Sequence, residues 1–256
     1  MDPIIVNVDE KNIEQYPPVC FLNPKNEGYL IKKDWLLKRF AEGLKIKLLY
    51  LEGDKKCYGF IEYIPGEYAW RAVDAEGYLF IHCIWITPNT KKKKGYGSLL
   101  VKECIEDAQK QDKSGAAVIT STSAFMADKD LFIKNGFEEV ETQGDHSLLV
   151  NHLKKGPTPR FKDWKSKLTA YTGLHIIYSN QCPWVSRFMT EVDAVLKERK
   201  LKINIMELKT AQEAQAAPSI YATFNLINDG KLLADHYISL TRFENIINKE
   251  FPGGKK

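Results

Sequence analysis

The chain has 256 residues, 44% of them hydrophobic and 27% charged. That balance suits one large or two ordinary soluble domains and excludes whole-chain disorder, collagen-like repetition and coiled coil. The formal net charge of +4 is too small to argue for a nucleic-acid partner. Its distribution is uneven: residues 1–150 hold 20 basic and 23 acidic side chains, the remainder 17 and 10. No apolar run is long enough to span a bilayer, and the start MDPIIVNVDE lacks the basic stretch of a signal peptide. The five cysteines, Cys20, Cys57, Cys83, Cys104 and Cys182, form no CxxC pair. They read as free thiols of a reduced, cytoplasmic protein without a disulfide framework or metal site.

In chain order, Ile4–Val8 reads as a strand and Tyr29–Glu42 as a helix with an apolar stripe through Leu30, Leu36 and Phe40. Three strands follow, Leu44–Leu51, Cys57–Ile64 and Tyr78–Ile86, joined by turn-rich segments. Gly97–Gln111 is helical and Gly115–Thr120 a strand. Asp128–Asn135 is a short helix stopped by Gly136. Phe137–Thr142 and Ser147–Leu153 are strands. Asn151–Trp164 carries two prolines, a glycine and four basic residues without periodicity, and reads as an exposed linker. Beyond it come strand His175–Ser179, helix Val185–Lys200, strand Ile203–Leu208 and short helix Thr210–Gln215. A hairpin around Asn228-Asp229-Gly230 and a helix Ser239–Asn248, capped by Ser239, close the chain.

The most informative stretch is HCIWITPNTKKKKGYGSLLVKECIEDA, from His82 to Ala108. A strand runs into a basic, glycine-containing loop that opens an amphipathic helix. Unpaired N–H groups at a helix start hold phosphate well, and glycines let the backbone approach. The P-loop and dinucleotide-binding patterns do not fit, since only Gly95-Tyr96-Gly97 is present.

The run Lys92-Lys93-Lys94-Gly95-Tyr96-Gly97 resembles the Q/R-x-x-G-x-G/A motif of the GNAT N-acetyltransferases, with Lys in place of Gln/Arg. LFIKNGF, Leu131–Phe137, is similar to that family's L-Y-x-x-x-G-F motif. The resemblance implies an acyltransferase using acetyl-CoA as co-substrate. The pyrophosphate would lie on the N–H groups of Lys93–Ser98, with Lys92 beside them. The pantetheine arm would pair with Ile84, Trp85 and Ile86, where this strand splays from Gly115–Thr120. Phe132, at the motif's tyrosine position, would border the cofactor and leaves the usual acid role vacant. Glu62 is the favoured base, because a carboxylate amid apolar neighbours takes a proton more readily. His82 is the second candidate, and Tyr63, Tyr68, Trp70 and Trp85 are candidate lining. The acceptor would be a small-molecule or peptide amine, with no nucleic acid, membrane or metal involved; the sequence leaves oligomeric state open.

The C-terminal strand HIIYS leads into Asn180-Gln181-Cys182-Pro183 and a helix, which resembles the thioredoxin-like fold. That resemblance implies a thiol favoured as thiolate by the helix start, and a cis-proline at Ala217-Pro218. The partner position of a CxxC is Val185, so only a monothiol redox role is open to Cys182. The whole pattern resembles two-domain GNAT proteins ending in a YoaP-like domain. The expected class is α/β (α+β): a mixed, mostly antiparallel sheet with flanking helices over residues 1–152, a basic linker over 153–170, and a smaller thioredoxin-like α/β domain over 171–256. The other readings are a monothiol redox or thiol-binding protein with a CoA-binding first domain, and a catalytically inactive CoA sensor.

Overall fold

A computed structural model describes residues 2–16, 23–122 and 126–252. The elements are β1 (Pro3–Val8), α1 (Glu27–Phe40), β2 (Lys45–Leu51), β3 (Gly59–Pro65), β4 (Val73–Asp74), β5 (Tyr78–Ile86), α2 (Tyr96–Lys110), β6 (Gly115–Ser121) and α3 (Lys129–Ile133). They continue with β7 (Glu138–Gln143), β8 (His146–His152), β9 (Arg160–Phe161), β10 (Leu174–Tyr178), α4 (Pro183–Glu198), β11 (Ile203–Glu207), α5 (Ala211–Gln215), β12 (Phe224–Asn228), β13 (Lys231–Ala234) and α6 (Leu240–Glu250). The expected elements recur with ends displaced by a few residues. The two-residue strands β4 and β9 are additional, being too short to carry a periodic pattern.

The chain forms two compact units. One takes Met1–Leu22, Leu36–Ala69 and Val73–Phe161; the other takes Asn23–Trp35, Trp70–Ala72 and Lys162–Lys256. The division falls after Phe161, and the second unit also draws on two early segments. Within the stretch read as an exposed linker, β8 runs to His152, and Phe161 is buried where β9 pairs with β4.

The first unit is built on a seven-stranded sheet of order β1-β2-β3-β5-β6-β8-β7. Every neighbouring pair is antiparallel except β5 and β6. Side chains alternate between faces. Leu49, Ile61, Tyr63, Leu79, Ile81, Ala116, Val118 and Leu149 share one face and meet Leu100, Val101, Cys104 and Ala108 of α2. Full burial of each larger aliphatic chain there contributes about 1.5–3 kcal/mol. The other face carries Ile46, Leu48, Phe60, Ile64, Phe80, Leu148 and Val150, all buried.

The second unit contains the sheet β11-β10-β12-β13, with β10 and β11 parallel and the remaining pairs antiparallel. This is a β-α-β segment followed by a β-β-α segment. Its core joins Ile176, Phe188, Val192, Phe224, Leu226 and Phe243. Local chemistry sets the boundaries. Pro183 opens α4, where a missing N–H costs nothing. Thr210 and Glu213 close a capping box on α5. Asp229 and Gly230 both adopt positive φ in the two-residue turn between β12 and β13, the geometry a right-twisted hairpin needs. Ser239 caps α6 by accepting from the Arg242 N–H, as expected.

Candidate active site

The parallel ladder between β5 and β6 is short, from Tyr78↔Gly115 to Ile81↔Val118. Beyond it β5 continues to Ile86 beside β3, and β6 continues to Ser121 beside β8. Among the described residues no strand fills the gap between them. The split expected from the sequence is therefore present. A β-bulge lies at its start: Glu62 pairs with Cys83 and Tyr63 with Ile81, which leaves His82 as the extra residue of β5. The bulge shifts the alternation by one residue, so that Leu79 and Ile81 before it, and Ile84 after it, all face α2. Trp85 consequently turns away and stays partly exposed, with the Lys92 ammonium 4.8 Å from its ring. Lys91 lies 4.6 Å over the Tyr58 ring in the same way.

After β5 the chain passes a cis Thr87–Pro88 bond and a 3-10 turn, Asn89–Lys91. Gly95 then caps α2 at φ +83°, with open space around the site of a Cβ. The first hydrogen bond of the helix start runs from the Leu99 N–H to the Gly95 carbonyl. The six preceding N–H groups, from Lys93 to Ser98, have no hydrogen-bond partner among the described residues. Six donors at the positive end of a fifteen-residue helix form an anion cradle. Lys92, Lys93 and Lys94 project exposed around it, and Tyr96 is half-buried beneath. A Cβ on Gly97 would lie 3.1 Å from Leu131 Cδ1, so α3 closes against this turn. Asn135, just past α3, completes the contact: its Nδ2 donates to Ser98 Oγ at 2.9 Å and to the Leu131 carbonyl at 2.7 Å. Sequence reasoning passed over Asn135, although it stands inside the LFIKNGF motif.

Glu62 and His82 project from the face opposite α2. Glu62 Oε1 lies 3.3 Å from His82 Nδ1, and both side chains are buried. The His82 ring stacks edge-on with Phe80, centroids 5.9 Å apart. The two residues weighed as alternative bases are thus one buried carboxylate–imidazole pair, beside the bulge in β5. Such a pair can take a proton from a substrate and share the resulting charge.

Other expectations are corrected. Phe132, expected to border the cofactor, is fully buried in the core that includes α2, edge-on to Phe137, and presents no polar atom. Tyr63 points to the α2 side, where its hydroxyl donates to Asp107 Oδ2 at 2.6 Å. Trp70 is buried in the second unit against Trp35, leaving Tyr68 and Trp85 as the partly exposed aromatics. The Ala217–Pro218 bond is not cis. Cys182 does precede a helix, but burial pushes its thiol up. The Trp184 and Val185 N–H groups and the charges of Lys32 and Arg71 only partly offset that. A thiol so held is a poor thiolate, contrary to the expectation of a lowered value. Cys57, Cys83 and Cys104 are free thiols, and Cys20 lies outside the described residues. Among the described residues no cluster of metal-ligating side chains occurs, and no helix is long and apolar enough to cross a membrane.

The chain is 27% identical to the uncharacterized N-acetyltransferase YoaP of Bacillus subtilis (strain 168), over 95% of this chain and 98% of that protein. PaiA N-acetyltransferase from Thermoplasma acidophilum, solved with coenzyme A, is similar at 15% identity and a TM-score of 0.44. That similarity covers 59% of this chain and 99% of that one. An IAA acetyltransferase from Bacillus cereus ATCC 14579 is similar at 16% identity and a TM-score of 0.40, covering 59% of this chain and all of that one. A YoaP-like family model matches residues 202–245. The model of the acetyltransferase (GNAT) family matches residues 10–137, half of the chain. The chain therefore belongs to the acetyltransferase (GNAT) family and is an acyltransferase that uses acetyl-CoA as co-substrate.

Proposed function

We propose that the protein transfers the acetyl group of acetyl-CoA directly to an amine. The observation that carries this reading is the run of six unpartnered N–H groups, Lys93–Ser98, placed at the end of a strand whose outer edge is open. A pyrophosphate seated on those donors would be flanked by Lys92–Lys94. The pantetheine arm would then run back along Ile84, Trp85 and Ile86 toward the split. The thioester would lie near the bulge, within reach of Glu62 and His82. Glu62 would accept a proton from the acceptor ammonium, and His82 would steady the carboxyl. The freed amine attacks the thioester carbonyl, the C–S bond breaks, and the thiolate leaves, taking the proton that the attacking nitrogen sheds. A backbone N–H of the split strand would hold the oxyanion.

The buried Glu62–His82 pair favours catalysis over an inactive sensor, since a cofactor-holding fold alone does not need it. The raised Cys182 thiol removes the main support for the redox reading. The acceptor class on this reading is a small-molecule or peptide amine. The test is turnover of acetyl-CoA with and without amines, reading free thiol and acetamide together. One thiol released per acetamide formed is expected. Thiol release without acetamide, or CoA binding with no turnover on any amine, would contradict the proposal.

A further inference from the structure

We infer that Cys83 is a self-acetylation site, whose thiol exchanges places with CoA and takes up the acetyl group reversibly. The inference rests on the acetyl-transfer reading above, since it uses the same thioester. The bulge in β5 sets His82 and Cys83 together opposite Glu62 of β3. Ile61 and Ile84, the next register pair, both face α2. Glu62 and Cys83 therefore share the opposite face, with Cβ atoms on the order of 5 Å apart. His82 Nδ1 lies 3.3 Å from Glu62 Oε1 on that same side. A thiol, an imidazole and a carboxylate thus stand together on two adjacent strands.

Burial separates the three. Glu62 and His82 are buried, whereas Cys83 is a reduced thiol that stays partly exposed. It is the member of the group that a ligand can reach. A thiol beside a base that a carboxylate orients is the arrangement of an activated nucleophile. On the reading above the thioester lies near the bulge, beside Cys83. The step balances without a further reagent. The Cys83 thiol gives its proton to the Glu62–His82 pair, and its sulfur attacks the thioester carbonyl. A new S–C bond forms, the C–S bond to CoA breaks, and the CoA thiolate takes the proton back from the pair. One thioester replaces another, so neither side is strongly favoured, and the acetylated fraction follows the ratio of acetyl-CoA to CoA. An acetyl group on Cys83 would stand on the side of the pair and slow amine acetylation until CoA removed it. Cys104 is fully buried, and burial pushes the thiols of Cys57 and Cys182 up, so none of these is placed for the same exchange.

The test incubates the full chain with acetyl-CoA and no amine, then maps acetyl groups by mass spectrometry before and after hydroxylamine, which cleaves thioesters and spares acetyl-lysine. A hydroxylamine-labile acetyl group on Cys83 is expected, and added CoA should remove it. Cys83→Ala should lose that label while keeping the CoA-induced rise in melting temperature. Glu62→Gln should slow its appearance by roughly 10²–10⁴. Wild type that acetylates an amine but leaves Cys83 unmodified would overturn the inference and leave acetyl transfer intact. Labelling of Cys57 and Cys182 as fast as Cys83, or of the heat-unfolded chain at the same rate, would also overturn it, as uncatalysed thiol exchange. Label on Cys83 with no amine acetylated would keep the inference and overturn the amine reading. Neither label nor acetamide would overturn both.

Discussion

Gly95 and Gly97 stand two residues apart and answer different physical demands. Gly95 has room for a side chain but sits at φ +83°, where an L-residue costs about 1–2 kcal/mol. Gly97 is constrained instead by the Leu131 methyl 3.1 Å from its missing Cβ. On the proposed reading it also keeps the cradle clear for a pyrophosphate. CoA at a hundredfold its dissociation constant should stabilise wild type by about 2.7 kcal/mol, seen as a rise in melting temperature. Gly97→Asp places a carboxylate against the anion site and should abolish that rise. Gly97→Ala, which asks only a small shift of a flexible methyl, should keep it. A full rise in Gly97→Asp would move the cofactor elsewhere. The residue types of this turn were legible in the sequence, because glycine and lysine before an amphipathic helix have a specific use. The Glu62–His82 contact was not. It depends on the register between β3 and β5, which neither strand's own pattern gives.

At the level of elements, α2 is tied to the sheet by polar as well as apolar contacts. Lys47 of β2, nearly buried, places its ammonium 2.8 Å from Glu103 Oε2 and 3.1 Å from Asp107 Oδ2. Tyr63 of β3 donates to the same Asp107 carboxylate. Burial alone would lower the Lys47 value, but the hydrogen bonds to Glu103 and Asp107 outweigh it and raise it above the ordinary 10.5. Burial, with help from Cys104 and Asp107, keeps the Tyr63 phenol protonated well past its ordinary 10. A raised folded value gives stability that is complete below the unfolded value and is lost as pH climbs through the folded one. Lys47→Met should therefore cost about 2 kcal/mol at pH 8, by urea unfolding. The gap between variant and wild type should narrow above about pH 10.5, where wild type loses its own advantage. A pH-independent gap would assign the cost to packing rather than charge. Nothing in the sequence sets Lys47 apart within its strand. Only the register with β3 puts it under α2.

For the molecule as a whole, the order of elements was readable because each carries its own period, caps and turns. The composition of the units was not. Residues 23–35 and 70–72 belong with residues 162–252, and local patterning carries no sign of such distant association. Within the second unit that association is made by specific contacts. The Ala72 N–H donates to the Ile220 carbonyl, and the Lys162 N–H to the Ala72 carbonyl. Arg71 Nη1 donates to Gln181 Oε1 at 2.5 Å, and the guanidinium lies 4.0 Å over the Tyr221 ring. The N-terminal acidic excess and C-terminal basic excess, visible in the sequence, thus do not coincide with the unit boundaries. The proposed acetyl transfer nevertheless takes place in the first unit, at a carboxylate and an imidazole supplied by adjacent strands. The most direct test is the rate of amine-dependent acetyl transfer in Glu62→Gln, His82→Gln and the double variant. The CoA-induced melting shift should be retained in all three, as the control for folding. Glu62→Gln should lower kcat by roughly 10²–10⁴. The double variant should be little worse than the poorer single one, because the two groups act as a unit. An unaltered kcat in folded, CoA-binding Glu62→Gln would contradict the account.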